Sequence, residues 1–235
     1  MTAAEILAEI EPLGAESYRK VLRNHGVPEP MFGVKIEALK KIQKRIKMDY
    51  QLALDLFDTG IYDAQYLAGL IADDAKMSKA DLNRWAEKAN CPTLSESAVP
   101  WVAAEGRFGR ELALKWIDSG RENVAIAGWA TLISLVSIKD DNELDIEELA
   151  GLLDRVRTTI HQQPNRLRYI MNGFVSAAGG YVVLLTDLAI ATAVEIGKVT
   201  VDMGATACAV RYPPDVIEAM RQRGTLGKKR KSAKC

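Results

Sequence analysis

The sequence predicts an all-α fold, namely a HEAT-like α-solenoid of antiparallel helix pairs with a concave groove. Three observations predict it. Apolar residues recur at helical spacing along nearly all of the 235 residues. The connections between these patterns are short, which makes consecutive helices antiparallel neighbours. Helix pairs recur at a loose period of about forty residues without an exact repeat, as in degenerate solenoids. An irregular helical bundle without a groove is the alternative.

The individual helices follow from caps, apolar stripes and breakers. The clearest helix begins at Asp145, which we expect to form a capping box with Glu148, and Pro164 ends it. Ser78 begins another helix by the same pattern. Pro100 falls inside an apolar pattern and is expected to kink or break it. Further helical patterns cover roughly 3–11, 15–24, 35–47, 49–57, 61–73, 94–104, 107–118, 121–136, 166–178, 181–196 and 213–223.

Charge is balanced overall but unevenly placed. The chain has 31 Lys and Arg and 31 Asp and Glu, so no global field attracts a polyanion. Residues 140–148 hold six acids and no base, whereas residues 221–235 hold seven bases and no acid. We divide the chain into one helical repeat domain, residues 1–223, and a flexible basic tail, residues 224–235. Residues 198–203 alternate apolar and polar side chains and are predicted to be an extended connection.

Several functional classes find no support in the composition. The three cysteines are widely spaced and form neither a disulfide framework nor a zinc pair, so we expect no metal and no cofactor. The two histidines, His25 and His161, lie far apart in the chain, which disfavours a histidine-based catalytic triad. Neither a signal peptide nor a long uncharged apolar run is present, so we expect no membrane association and a cytoplasmic protein.

The first candidate for polyanion binding is a basic row on one predicted helix. Its apolar stripe, which includes Ile36 and Leu39, marks the buried side, and lysines recur at helical spacing on the other side. Such a row can neutralise the phosphates of a nucleic acid. A solvated helix face is the alternative. The candidate ligands are Lys35, Lys40, Lys41 and Lys44.

The second candidate is a polar cluster that opens the helix after Pro164. Arginine side chains and backbone N–H groups at a helix start are good anion ligands. The cluster consists of Asn165, Arg166, Arg168 and Asn172, and we assign all four to DNA binding. The alternative is that the arginines pair with acids of the preceding helices.

The third candidate is the basic tail itself. A mobile basic arm can follow a phosphate backbone without reading base sequence. Its cations are Lys228, Lys229, Arg230 and Lys231. The alternative is a solubilising tail with no specific partner.

The tryptophans carry a fourth, weaker signal. All four, Trp85, Trp101, Trp116 and Trp129, lie on predicted helices, and core packing is the default for each. Glu105 follows Trp101 by four residues, which places an indole and a carboxylate on one helical face. An aromatic ring beside an acid can hold a cationic base or sugar.

The chain also resembles a known family. From Phe32-Gly33-Val34-Lys35 and the basic helix that follows, through the helix pairs to about residue 195, it looks like the bacterial alkylpurine DNA glycosylases of the AlkD type. Residues 197–204 and the basic ending are similar to a branch of that superfamily usually labelled DNA alkylation repair. The resemblance implies a HEAT-like solenoid with a positively charged concave groove that holds duplex DNA. In AlkD-type enzymes an acid and tryptophans near the sugar help to excise a cationic alkylated base.

The family's catalytic residues do not transfer cleanly to this sequence. The family has a Trp followed four residues later by Asp, whereas Trp85 is followed at that distance by Ala89. An Arg that opens a later helix in the family has no counterpart in residues 123–129. A further family Trp would fall near Phe174. The candidate catalytic pair in this sequence is therefore Trp101 and Glu105.

Three functions remain open from the sequence. The leading hypothesis is a monomeric DNA-binding protein of this superfamily that holds duplex or branched DNA, including alkylated DNA, in a basic concave groove. The second is an active glycosylase for cationic N3- or N7-alkylated purines, in which Glu105 or Asp118 stabilises an oxocarbenium-like sugar. The third is a protein-interaction scaffold, for which the acids at 140–148 are the best support.

Overall fold

A computed structural model describes residues 1–234, and these contain thirteen α-helices and no strand. The all-α prediction is therefore confirmed. Short 3₁₀ turns and one π-helical turn, Leu94–Ala98, join some of the helices. The helices are α1 Ala3–Ile10, α2 Glu16–Asn24, α3 Ile36–Ile46, α4 Tyr50–Asp58, α5 Tyr62–Ile71, α6 Lys79–Lys88, α7 Val99–Glu105, α8 Gly109–Trp116, α9 Glu122–Ile138, α10 Ile146–Thr159, α11 Asn165–Tyr181, α12 Thr186–Ile196 and α13 Pro213–Gln222.

Side-chain caps set several of the helix starts, as the sequence predicts. Ser78 forms a complete capping box with Asp81 at the start of α6. Asp145 caps α10 by accepting a hydrogen bond from the Glu148 N–H at 3.0 Å. The carboxylate of Glu148, however, accepts from the Arg110 guanidinium at 2.7 Å instead of returning to the cap. Only half of the predicted box forms at Asp145, because a charged partner on α8 competes for its second member.

Pro100 divides the apolar pattern in which it lies, as predicted. Proline has no N–H, and its ring crowds the carbonyl group four residues earlier. Just before it, the chain forms the π-helical turn Leu94–Ala98, in which the Val99 N–H donates to the Leu94 carbonyl five residues back. The wider turn accommodates the proline, and α7 then starts at Val99 with Pro100 in its first turn.

The helices stack in two layers. One layer contains α5, α7, α9, α11 and α13, which pack side by side in that order. We call it the inner layer. The helices α4, α6, α8, α10 and α12 form the second layer, and each packs on one or two helices of the inner layer. Helix α3 flanks the inner layer by packing on α5. Consecutive helices thus form the antiparallel pairs that short connections require.

The core lies between the two layers, and all four tryptophans belong to it. None of them is more than 5% exposed, which confirms the prediction of core packing. Trp85 stacks on Phe57 with ring centroids 4.1 Å apart, and Trp129 meets Phe174 edge to face at 5.2 Å. Within residues 1–234, no helix alone has both the length and the hydropathy of a membrane span; the pair Asn165–Tyr181 and Val183–Ile196, bent by 118°, has them only jointly.

The contact between α8 and α9 depends on Gly128. A Cβ atom at this position would lie 2.7 Å from the backbone nitrogen of Ile117. We expect Gly128→Ala to lower the free energy of unfolding by about 1–3 kcal/mol, because the two helices must move apart. Gly151, on the exposed side of α10, is the matched control, since a Cβ atom added there would have no neighbour within 4 Å. Gly151→Ala should stabilise the protein by about 0.5–1 kcal/mol. Urea unfolding of both variants checks the prediction, and similar effects at the two sites would contradict it.

Two irregular segments close the ends of the inner-layer helices. The linker, residues 197–212, joins α12 to α13 and has no regular secondary structure, in line with the predicted extended connection. The strap, residues 224–234, follows α13 and crosses the carboxyl ends of four helices. The predicted flexible tail is corrected here, because the strap packs on the protein and Ala233 within it is 1% exposed.

Candidate nucleic-acid interface

The lysine row of α3 faces solvent. Leu39 and Ile42 are buried, while Ile36 and Ile46 are half-buried, so the apolar stripe packs on the protein. Among residues 1–234, no acid forms an ion pair with the lysines of this row, although Arg45 on the same helix pairs with Glu9. The row is therefore available to an external anion. It consists of Lys35, Lys41 and Lys44, which are exposed, and Lys40, which is half-buried.

Backbone and hydroxyl groups hold the strap along the carboxyl ends of the inner-layer helices. The Gly227 N–H donates to the Gly180 carbonyl of α11 at 2.8 Å. The Arg230 N–H donates to the Ser137 carbonyl of α9 at 2.7 Å. At α7, the Ala233 N–H and the Ser232 hydroxyl, both at 2.7 Å, donate to Glu105 Oε1. In chain order, these contacts take the strap from α11 across α9 to α7.

Two strap lysines point inward and complete this attachment. Lys229 Nζ donates to the Val136 carbonyl in the last turn of α9 at 2.9 Å and lies 2.8 Å from Asp141. Lys234 Nζ donates to the Ala72 carbonyl just after α5 at 2.9 Å. Helix carboxyl ends carry partial negative charge and unpaired carbonyl groups, so a lysine at each end is stabilising. Lys229 is consequently a structural residue and is corrected from its predicted role in DNA binding.

The remaining strap cations point outward. Lys228, Arg230 and Lys231 are exposed, and none of them forms an ion pair within residues 1–234. The two inward lysines lie beneath the strap, at the carboxyl ends of α9 and α5. The strap thus presents a fixed positive surface in place of the mobile arm that the sequence predicts.

The strap and the α3 row meet at the end of α5. Gln43 Nε2 on α3 donates to the Leu70 carbonyl at 3.4 Å, and Lys234 Nζ donates to the Ala72 carbonyl two residues later. Cations from opposite ends of the chain therefore lie in one band on either side of this helix end. We call this band the basic edge; it consists of Lys40, Lys41 and Lys44 of α3 and Lys228, Arg230 and Lys231 of the strap.

Asp74 is a buried carboxyl group beside the strap. Burial raises the pKa of Asp74 to about 6 even though Lys234, 3.0 Å away, lowers it. Because the folded-state pKa is raised, the folded protein binds this proton more tightly than the unfolded chain does. The contribution to stability is therefore full below the ordinary pKa of 3.8 and is lost as the pH rises through about 6.

We expect Asp74→Asn to flatten this part of the pH dependence. For the unmodified protein, Asp74 should account for a fall of up to about 3 kcal/mol in unfolding free energy between pH 4 and pH 7. Lys234→Gln removes the neighbouring cation and should shift the fall to higher pH. Urea unfolding at several pH values checks both. An unchanged slope in Asp74→Asn would contradict the assignment.

The polar cluster at the start of α11 binds other parts of the protein. Asn165 holds the linker through two hydrogen bonds to Asp202, at 2.7 and 2.8 Å. Asn172 is 7% exposed and donates to the Arg211 carbonyl at 2.8 Å. Both asparagines are corrected from predicted DNA ligands to linker supports, because their side-chain amides bind the linker backbone.

Arg166 is also occupied. Its guanidinium forms a bidentate ion pair with Glu96 of the π-helical turn and stacks over Tyr169, 4.4 Å from the ring centroid. Burial raises the pKa of Glu96, although Arg166 lowers it. The sequence-based alternative, in which the arginines pair with acids, is thus realised for Arg166, but the acid lies 70 residues away. Arg168 has no acidic partner within residues 1–234; its Nη2 donates to Asn165 and its buried Nε has no partner.

The candidate catalytic pair is covered. Trp101 is 5% exposed and meets Tyr66 edge to face at 5.6 Å. Glu105 is half-buried, and its Oε1 accepts the two hydrogen bonds from the strap. Neither group faces solvent in the way that a residue acting on a DNA sugar must. Catalysis by this pair would require displacement of the strap.

Several cations outside the predicted set face solvent without an acidic partner in residues 1–234, and three of them lie near Glu105 or at the ends of the linker. Arg107 lies two residues after Glu105, beside the strap. Lys198 and Arg211 lie at the two ends of the linker. Their isolated positions in the sequence give no periodic signal, so only the packing of the linker and strap distinguishes them from ordinary surface charges.

Comparison with known proteins agrees with these observations. The family model described as DNA alkylation repair enzyme matches residues 3–181. Two relatives, uncharacterized proteins of Listeria innocua and Listeria monocytogenes, are 31% and 30% identical over 229 residues, covering 95% of this chain and 99% of each relative. A solved structure matches with a TM-score of 0.92 and 35% identity over the whole of both chains. It is described as a new family of proteins related to the HEAT-like repeat DNA glycosylases with affinity for branched DNA structures. This match confirms the HEAT-like fold.

Proposed function

Because this chain belongs to the family of DNA alkylation repair enzymes, we propose that it binds DNA, with a preference for branched DNA, along the basic edge. The observation that carries the proposal is the convergence of the strap and the α3 row at the end of α5. Six cations in that band lack acidic partners within residues 1–234, whereas most arginines elsewhere are paired. Unpaired cations along one edge of a protein are a feature of proteins that follow a phosphate backbone.

The dimensions of the basic edge suit a DNA backbone. The strap crosses from α11 to α5, which is three helix spacings in the inner layer. At roughly 8–10 Å for each spacing, the band extends over about 25–30 Å before it reaches α3. One DNA strand places a phosphate about every 3.4 Å along the duplex axis, so about eight base pairs span this length. The outward cations are therefore spaced to contact several phosphates of one arm.

Branched DNA as the preferred partner is supported by the solved structure at 35% identity, which is described as having affinity for it. That similarity covers the whole of this chain, including the linker and strap that lie beyond the family-model match. We propose that the protein acts as a monomer and recognises the arrangement of backbones rather than base sequence. Cations on a strap and a helix face contact phosphates, which carry no sequence information.

Binding to defined DNA substrates tests the proposal. A four-way junction, a duplex and a single strand of matched length, each with hydroxyl ends, are titrated at low salt by fluorescence anisotropy. We expect the junction to bind most tightly and its affinity to fall steeply with salt, with a log–log slope close to the number of phosphates contacted. Absence of detectable binding to all three substrates at low salt would refute the proposal. Equal affinity for junction and duplex would refute the preference.

We further propose that base excision does not proceed through Trp101 and Glu105. The first is buried in the core, and the second is engaged by the strap. A single-turnover assay on duplex DNA that carries an N7-alkylated purine measures this directly. The expected result is base release at the spontaneous rate with binding intact. Faster release that disappears in Glu105→Gln would instead support the glycosylase alternative.

A further inference from the structure

A second basic site lies away from the basic edge, in a cavity between α11 and the linker. The cavity has a volume of about 550 Å³, within the range of cavities that bind small organic ligands. No acid lines it, although the chain contains as many acids as bases. Its polar wall combines charged, hydroxyl and aromatic groups, and its apolar wall is formed mainly by valines. The polar lining residues are Asn172, Lys198, Thr200, Arg211 and Tyr212.

The linker is fixed around this cavity by α11. Asn165 binds the backbone of Asp202 near one end of the cavity, and Asn172 binds the Arg211 carbonyl near the other. Both asparagines lie on the same face of α11, about two turns apart. The second contact holds the backbone beside Tyr212, which is followed by Pro213 at the start of α13. The cavity wall is therefore held by hydrogen bonds at two separate points.

The charge of the cavity is unusual for this protein. Lys198 and Arg211 have no acidic partner within residues 1–234, in contrast to Arg166, Arg157 and Arg155 on nearby helices. Unpaired cations in a cavity that no acid lines favour an anionic ligand, which would neutralise them.

We propose that this cavity binds the terminal phosphate of a nucleic-acid strand, with the adjoining base against Tyr212. A terminal phosphomonoester carries a charge of about −1.5 to −2 at neutral pH, more than an internal phosphodiester, and it has three strong acceptor oxygens. Lys198 and Arg211 supply the charge, and Thr200 supplies a neutral donor. The valines and the exposed ring of Tyr212 offer an apolar surface for a sugar and a stacked base.

This inference rests on the proposed function and deepens it, because it names a part of the DNA that the basic edge does not hold. A broken DNA strand presents ends that an intact duplex or junction lacks. The basic edge would hold the backbone of one arm, while the cavity would hold a free end.

The test compares short single-stranded oligonucleotides that differ only at one end. One carries a terminal phosphate and the other a terminal hydroxyl, with a fluorophore at the opposite end. Both the 5′ and the 3′ versions are measured by anisotropy. We expect at least one phosphorylated form to bind about tenfold more tightly than its hydroxyl counterpart, the ratio that one or two charge-assisted hydrogen bonds provide. Inorganic phosphate should remove the difference by competition. Equal affinity of phosphorylated and hydroxyl oligonucleotides would overturn the proposal.

Substitutions of the cavity cations test whether the terminal phosphate binds in the cavity. The double variant Lys198→Gln with Arg211→Gln should abolish the preference for a terminal phosphate. Lys115→Gln, which neutralises an exposed unpaired lysine on α8, is the matched control and should retain it. A preference that survives the double variant would assign the phosphate to another site and overturn the proposal.

The choice of substrates separates this proposal from the proposed function. The four-way junction with hydroxyl ends measures the basic edge alone. If the protein fails to bind that junction but still prefers the phosphorylated oligonucleotide, the proposed function fails and the cavity assignment survives. The opposite result removes the cavity assignment only.

Discussion

Neutralising the three outward cations of the strap is expected to weaken junction binding by about a hundredfold at low salt. The variant combines Lys228→Gln, Arg230→Gln and Lys231→Gln. Each phosphate that is no longer bound removes about 1 kcal/mol, and three such losses give about two orders of magnitude in Kd. The log–log salt slope should fall by about three, one for each phosphate that the strap no longer neutralises. Anisotropy titrations over a salt series measure both quantities.

Folding must be unchanged for this result to be informative. The three side chains have no partners within residues 1–234, so their neutralisation should leave the midpoint of urea unfolding unchanged. The matched control neutralises Lys115, an exposed and unpaired lysine on α8. A strap variant that binds as tightly as the unmodified protein, with the same salt slope, would remove the strap from the interface.

The α3 row should act together with the strap. The variant Lys40→Gln with Lys41→Gln and Lys44→Gln is expected to weaken binding by a similar factor, because these lysines belong to the same band. Combined with the strap variant, it should leave only weak binding with little dependence on salt. If the α3 variant has no effect while the strap variant does, the interface is confined to the strap.

The second large effect is on stability and concerns Arg166. Replacement by alanine leaves Glu96, whose side chain is 15% exposed, without its charged partner. A buried carboxylate that loses its partner costs about 3–5 kcal/mol. We therefore expect Arg166→Ala to lower the unfolding free energy by that amount at neutral pH. Burial already raises the pKa of Glu96, and loss of Arg166 removes the group that lowers it, so the loss should diminish on acidification.

A surface ion pair is the control for Arg166. Arg157 pairs with Asp154 and Glu195, but all three side chains are at least 40% exposed. Arg157→Ala should therefore lower the unfolding free energy by less than about 1 kcal/mol.

Junction binding by Arg166→Ala provides a second comparison. Under conditions where Arg166→Ala remains folded, it should bind the junction like the unmodified protein. A selective loss of DNA binding without loss of stability would restore Arg166 as a DNA ligand.

These two sets of variants separate cations that look alike in the sequence. Lys228, Lys229 and Arg230 are consecutive, yet the middle one attaches the strap and its neighbours face solvent. Arg166 and Arg168 lie two residues apart, yet one has an acidic partner and the other has none in the described part of the chain. In each case the difference lies in partners supplied by other elements rather than in the local pattern.

The sequence by itself determined the features that depend on short-range interactions. Helical periodicity predicted the all-α architecture, Pro100 predicted a break, and apolar stripes predicted burial of all four tryptophans. Such features follow from neighbours three or four residues apart and from the conformational limits of single residues. The same reasoning identified the basic residues that form the proposed interface.

Only the tertiary structure decided which of those basic residues are free to meet an anion. Lys229 reaches a carbonyl 93 residues away, Lys234 one that is 162 residues away, and Arg166 an acid 70 residues away. A charged side chain pairs with the groups that lie near it in space. Its position in the sequence does not show whether it faces solvent or another helix. The positions of the strap and the linker on the helices therefore cannot be predicted from a local sequence pattern.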